Sequence, residues 1–209
     1  TEGGGFGIFL PSERYLGLFD DTDERFDASV RTKFYDKNGN LLTSAADPEY
    51  IAPHCKKYED YDRVMDAGAS SKNIYFIRYA DLILLYAECL LAENDLAGAK
   101  QQVIRVRNRA KVSTPITASN NTEMLDFIYE ERMRELGMEG WRRMDLIRRG
   151  ADYFAAQVDK YNPFAKGNVQ PYHAFYPIPT NEINMNDGIG GQHRHHRYTA
   201  RLWHRPVKD

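Results

Sequence analysis

Between Pro53 and Pro115 the chain has no proline, and it has none again between Pro115 and Pro163. Proline lacks the amide that a helix interior needs and clashes with the preceding turn. These two windows are therefore where long helices can form. Apolar residues inside them recur at helical spacing. Ile77, Leu84, Leu85 and Leu91 mark a helix in a zone that begins near Ile74, and Asp95 is placed to cap a second from Leu96 to about Ala110. A third starts at Asn121 or Thr122, with Leu125, Ile128, Tyr129 and Leu136 on one stripe. Gly140 breaks it, and a fourth runs from Trp141 with Met144, Ile147, Ala151 and Phe154 facing inward. This predicts a mainly α fold of two antiparallel helix pairs with short connections.

The first pair fits the tetratricopeptide pattern of small and large residues. Ala87 and Ala99 take the small positions where two helices cross, and Ile83, Leu90, Val103 and Val106 take large ones. Tyr86 stands where an aliphatic residue is usual. Cys89, inside the same apolar stretch, reads as a buried free thiol. Tyr79, Tyr86, Tyr129 and Phe154, all at helical spacing, read as core.

The flanks are irregular. Gly3-Gly4-Gly5-Phe6-Gly7 suits a turn, and Ser12 can cap a short helix through Phe19. Asp27 to Tyr35 alternates in part, with β-branched and aromatic residues, and Asp36 to Asn40 reads as a hairpin turn. The chain divides into a loop-rich segment 1–73, a helical core 74–187, and a basic, His-rich tail 188–209.

Charge excludes some partners. Residues 1–187 carry 23 Lys and Arg against 29 Asp and Glu, an acidic body unsuited to nucleic acid. The longest apolar candidate, Ile74 to Ala92, is interrupted by Arg78, Asp81 and Glu88, so it is no membrane span. Motifs for a serine nucleophile elbow, a zinc helix, a redox Cys pair or a phosphate loop are not found. His54 beside Cys55 invites a nucleophile–base pair, but neighbours in sequence seldom face each other.

Carboxylates concentrate among arginines on helices. Arg132 lies on an apolar stripe, and Asp81 and Glu88 share a face with Leu84 and Leu85. An unpaired inward guanidinium is costly, so Arg132 is expected to meet those acids. Glu135 and Glu139 repel at i,i+4 unless each has its own cation, and Arg142 and Arg143 lie within reach of Glu139. The expected role is an ion-pair network, not the cleft-flanking pair of a glycosidase.

The residues resemble a family at this point. Ile77-Arg78-Tyr79-Ala80-Asp81-Leu82 followed by Leu84-Leu85-Tyr86-Ala87-Glu88 is similar to the signature helix of the SusD/RagB family. In matching order come Val106-Arg107-Asn108-Arg109-Ala110, then Glu131-Arg132-Met133-Arg134-Glu135-Leu136 with Glu139-Gly140, then Arg143-Met144-Asp145-Leu146-Ile147-Arg148-Arg149-Gly150. Tyr176-Pro177-Ile178-Pro179 and Glu182-Ile183 follow, and Asp23-Glu24-Arg25-Phe26 resembles the family's upstream acidic-Arg-Phe element. The resemblance covers roughly residues 5–192 and implies the C-terminal portion of a longer protein. Its missing N-terminal half would supply a lipid-anchor cysteine and more helix pairs.

The resemblance also implies a function. Such proteins are outer-membrane surface lipoproteins that capture oligosaccharides, or peptides in one branch, and pass them to a SusC-like TonB-dependent transporter. No catalytic residue, metal or cofactor is implied. Sugar rings bury an apolar face against aromatic side chains, so the loop aromatics Phe6, Phe9, Tyr50, Tyr58 and Tyr61 are the candidate binding residues. In the family the loop before the equivalent of Pro11-Ser12 often approaches the ligand, which singles out Phe6 and Phe9. A tetratricopeptide scaffold for protein partners and a glycoside hydrolase are the alternative functions. The tail departs from the family. Gln192 stands where a Gln is expected, but His193-Arg194-His195-His196-Arg197 replaces the usual Asn-Pro-Gly-Tyr ending. His193, His195 and His196 are residue types that bind metal; the adopted reading is a solvated, disordered foreign extension.

Overall fold

The computed structural model describes residues 10–35, 38, 40–41, 53–60, 70 and 72–185. The tail and the glycine-rich start lie outside them. Two compact units divide between Arg142 and Arg143.

The first unit opens with α1 (Glu13–Leu16), capped by the Ser12 side chain, which accepts from the Tyr15 amide at 3.3 Å. It ends at Gly17, earlier than the expected Phe19. Residues 27–29, expected as strand, belong instead to α2 (Arg25–Ser29). Asp23 Oδ1 accepts from the Arg25 amide at 3.0 Å and starts this turn of helix. The strand β1 (Val30–Arg31) then pairs antiparallel with β2 (His54–Cys55), Val30 opposite Cys55 and Arg31 opposite His54. An antiparallel bridge joins Tyr35 to Leu41, as the expected hairpin requires.

The helical core follows as α3 (Tyr79–Ala92), α4 (Leu96–Arg109) and α5 (Asn121–Leu136). Asp95 caps α4, its Oδ1 accepting from the Gly98 amide at 2.8 Å. Asn120 caps α5 in the same way through the Glu123 amide at 3.0 Å, while the Glu123 carboxylate accepts from Ser119. Short polar side chains thus satisfy amides that the first turn leaves open. The three helices pack on one another around Leu84, Ala87, Leu91, Ala99, Val103, Val106, Ala118, Met124 and Ile128. Ala87 and Ala99 are wholly buried, as the tetratricopeptide pattern requires.

Three expectations for α3 fail. The helix begins at Tyr79, because Arg78 is extended (φ −121°, ψ 154°); Ile77, assigned to the helical stripe, precedes it and is exposed. Tyr79 and Tyr86, read as core, are 67% and 54% exposed. Cys89 is exposed, not a buried thiol. Only Leu84, Ala87, Leu91 and Asp81 of α3 are fully buried, since α4 and α5 cover one face of it. Tyr129 is buried as expected.

The helix expected from Trp141 is two, α6 (Arg142–Arg148) and α7 (Ala151–Tyr161). Gly150 separates them at φ 107°, a conformation L side chains rarely adopt. Within α6, Met144, expected to face inward, is 52% exposed, and Asp145 is buried instead. In the second unit Leu146, Phe154 and Ala174 form a small core, with α7 packed on the 3₁₀ turn Pro171–Ala174. Arg143 lies over the Phe154 ring (5.0 Å) and the Tyr176 ring (4.6 Å), and donates to the carbonyls of His173 and Ala174. A last short helix, α8 (Thr180–Met185), follows.

Candidate functional site

Along one face of α5 run Glu131, Glu135 and Glu139, the last just beyond its end. Their side chains are at most 1% exposed. Each is paired. Arg25, itself buried, donates to Glu131 at 2.7 Å and Glu135 at 3.2 Å while both Asp23 oxygens hold its other edge. Arg107 and Arg134 share the second oxygen of Glu131. Glu135 also takes Arg78 and Arg109, both at 2.8 Å. Burial pushes the Glu135 carboxyl up, but the hydrogen bond from Arg78 and the charges of Arg109, Arg78 and Arg25 outweigh it and hold the group below its ordinary value. On the other side of the same helix, Arg132 donates to Asp81 at 2.7 Å and lies 3.9 Å from Glu88, the expected meeting of inward acid and inward base.

Glu139 does not use Arg142 or Arg143. Its partners come from remote segments: Lys57 Nζ at 2.6 Å, and Arg78 in a two-point pair at 2.9 and 2.8 Å. Lys57 also donates to the carbonyls of Glu135 and Gly137, closing the C-terminal end of α5. Arg142 instead donates to the Tyr129 carbonyl.

Aromatic rings lie close in sequence to the two cations that hold Glu139, Lys57 and Arg78. Tyr58, beside Lys57, lies 6.4 Å from Tyr75, with ring planes 37° apart. Phe76 lies 6.3 Å from Trp141. Tyr75 and Phe76 precede Arg78 in an exposed run, at 48% and 79% exposure. Arg78, which reaches Glu139, is itself extended. Burial and the Glu139 charge raise the Tyr58 phenol above its usual value, so it is a neutral ring with a hydroxyl to offer. Such a surface can cover the apolar face of a flat ligand. Its carboxylates are already ion-paired and nearly inaccessible, which suits them to holding the aromatics in place and not to proton transfer.

Of the sequence-derived candidates, Tyr58 is placed here; Phe6, Phe9, Tyr50 and Tyr61 lie outside the described residues. The sequence reading missed Tyr75, Phe76 and Trp141. The one available signal was the run Ile74-Tyr75-Phe76-Ile77, whose β-branched and aromatic residues are poor helix formers. His54 and Cys55 are consecutive strand residues, which point to opposite faces, and the His54 ring packs on Phe34 at 5.0 Å. Among the described residues no group of three His, Cys, Asp or Glu could hold a metal ion, and no helix is long and apolar enough to cross a membrane.

A sequence model described as the SusD family matches residues 11–192. A SusD-like protein, P25, of Formosa agariphila is 35% identical over 120 residues, covering 56% of this chain and 23% of its own length. Among solved structures, a SusD superfamily protein from Bacteroides vulgatus superposes with a TM-score of 0.67 at 19% identity, covering 89% of this chain and 45% of that one. A SusD-like carbohydrate binding protein from the same species gives 0.53 at 23% identity, over 71% of this chain and 29% of that one. The chain thus spans less than half the length of each relative.

Proposed function

The chain belongs to the SusD family, and on that premise we propose that it is part of a cell-surface protein that binds oligosaccharide without cleaving it. The observation that carries this reading is the family match over residues 11–192. A relative described as a carbohydrate binding protein shares the fold and agrees with it. The ring of Tyr75, exposed, beside that of Tyr58, half-buried, supplies the kind of surface a sugar face stacks on. The binding residues of this reading are Phe6, Phe9, Tyr50, Tyr58 and Tyr61, with Tyr75 added from its pairing with Tyr58.

The finer reading places the whole protein at the outer membrane, held by a lipid anchor in an upstream half and delivering sugar to a SusC-like TonB-dependent transporter. Against glycosidase action stands the condition of Glu131, Glu135 and Glu139: a general acid needs a raised pKa and access to solvent. Glu135 is shifted the other way. The test is a glycan-array screen of the full-length protein, followed by titration calorimetry and time-resolved analysis of the sugar. The expected result is saturable binding, in roughly the micromolar range or weaker, with the oligosaccharide recovered intact. Shortened sugar chains overturn the non-cleaving reading; absence of any glycan ligand overturns the binding reading.

A further inference from the structure

From Leu96 to Thr122 the chain carries five cations, Lys100, Arg105, Arg107, Arg109 and Lys111, and no carboxylate, within a protein whose net charge is −2. Three of the five face acids. Arg107 donates to the buried Glu131 at 3.2 Å, and Lys111 pairs with Glu24 at 2.6 Å. Glu123 is held below its ordinary value by hydrogen bonds from Ser119 and, more weakly, by the charge of Lys100. Arg105 and Arg109 differ. They lie one turn apart on the exposed face of α4, where like charges at i,i+4 repel. Arg105 has no carboxylate partner among the described residues; it donates to Gln102 Oε1 at 2.6 Å and to the Tyr79 hydroxyl at 3.2 Å. Arg109 uses one nitrogen, Nη2, on Glu135, a carboxylate that also holds Arg25 and Arg78. Its Nε and Nη1 donate to nothing among the described residues, and its side chain is 59% exposed.

We propose that Arg105 and Arg109 form a binding site for the anionic group of an acidic oligosaccharide, a uronate carboxylate or a sulfate ester. Both guanidiniums are already held by hydrogen bonds of their own, so little side-chain freedom is lost when an anion arrives. Arg109 shares its one carboxylate with two other guanidiniums, which leaves its charge incompletely neutralised. A guanidinium presents a planar set of donors that matches the oxygens of either anionic group. Gln101 and Asn108 are exposed on the same face, and their amides both donate to and accept from hydroxyls. That mixture of guanidinium and amide suits a ligand that carries hydroxyls and charge together. The inference rests on the glycan-binding reading and narrows it to charged sugars.

The full-length protein is screened on an array of neutral, uronate-bearing and sulfated oligosaccharides. It is then titrated calorimetrically with matched pairs: oligogalacturonate against its methyl ester, and a sulfated galactan against its desulfated form. At low salt the charged member of at least one pair should bind about tenfold more tightly or better, and which pair does so tells carboxylate from sulfate. The advantage should shrink as salt rises from about 0.05 to 0.5 M. Arg105→Gln should cut the ratio of charged to neutral affinity several-fold, a readout that loss of folded protein does not move. Arg105→Lys should restore part of it. A wild-type ratio in Arg105→Gln overturns the proposal, as do pairs bound alike or array hits confined to neutral sugars. An oligoglutamate peptide bound in preference to every sugar overturns it too, and marks an acidic protein partner. Absence of any glycan ligand sinks the functional reading; sugars bound with no preference for charge sink this inference alone.

Discussion

Arg132 Nη1 donates to Asp81 Oδ1 at 2.7 Å, tying α5 to α3 across 51 residues of sequence with side chains 2% and 5% exposed. Removing one partner of such a pair leaves a buried charge with nothing to neutralise it. Arg132→Ala is expected to destabilise the chain by about 3 kcal/mol. The double substitution Arg132→Met with Asp81→Leu is expected to cost less than the single one, because no charge is stranded. Urea denaturation midpoints compare the two. A midpoint for Arg132→Ala equal to wild type would mean that the pair contributes nothing.

Glu135 makes stability pH-dependent. Its folded carboxyl is held below the ordinary value by Arg78, Arg109 and Arg25. In the acid range the unfolded chain therefore binds a proton that the folded chain refuses. The contribution is fully present above the unfolded pKa and is lost as pH falls through the folded one. Denaturation midpoints should decline from about pH 6 to pH 3. The decline should be shallower in Glu135→Gln, whatever that variant's stability at neutral pH. Equal slopes would show that Glu135 does not titrate differently in the two states.

At Gly137, the residue at which α5 ends, a Cβ would clash with the Cε2, Cζ and hydroxyl of the buried Tyr15. The Gly137 φ of −54° is ordinary, so the constraint is space and not backbone freedom. Gly137→Ala should cost about 1–3 kcal/mol, in the range of overpacked cores. Thermal unfolding checks this: Gly137→Ala should melt below wild type, and the double variant Gly137→Ala with Tyr15→Leu should recover part of the cost that the two single variants predict together.

The binding reading makes its own prediction. Tyr58→Ala, Phe6→Ala and Phe9→Ala should each weaken oligosaccharide binding by on the order of 1 kcal/mol, several-fold in Kd. Melting temperature should change little in the two phenylalanine variants. Calorimetric titration of the full-length protein measures the effect. Unchanged affinity in all three would move the site away from these residues.

What was legible in the sequence is local. Ser12 and Asp95 each cap the helix that follows, because a cap needs only a short polar side chain and an amide two or three residues on. Ala87 and Ala99 could be assigned to a helix crossing, because only small residues let two backbones approach there. The inward salt bridge of Arg132 followed from an arginine on an apolar stripe and acids on a neighbouring one.

Tertiary structure decided which side of an apolar helix is inside. Nearly every residue of α3 is apolar, so periodicity could not rank Tyr79 and Tyr86 below Leu84 and Leu91. The positions of α4 and α5 settled it, burying one stripe and leaving the other exposed. The partners of Glu139 were hidden for the same reason: Arg142 and Arg143 are near in sequence, but Lys57 and Arg78 are the cations that folding brings to it. Sequence carries caps, breaks and small-residue crossings because those depend on neighbours along the chain. Burial of one face and the pairing of a remote charge depend on neighbours in space.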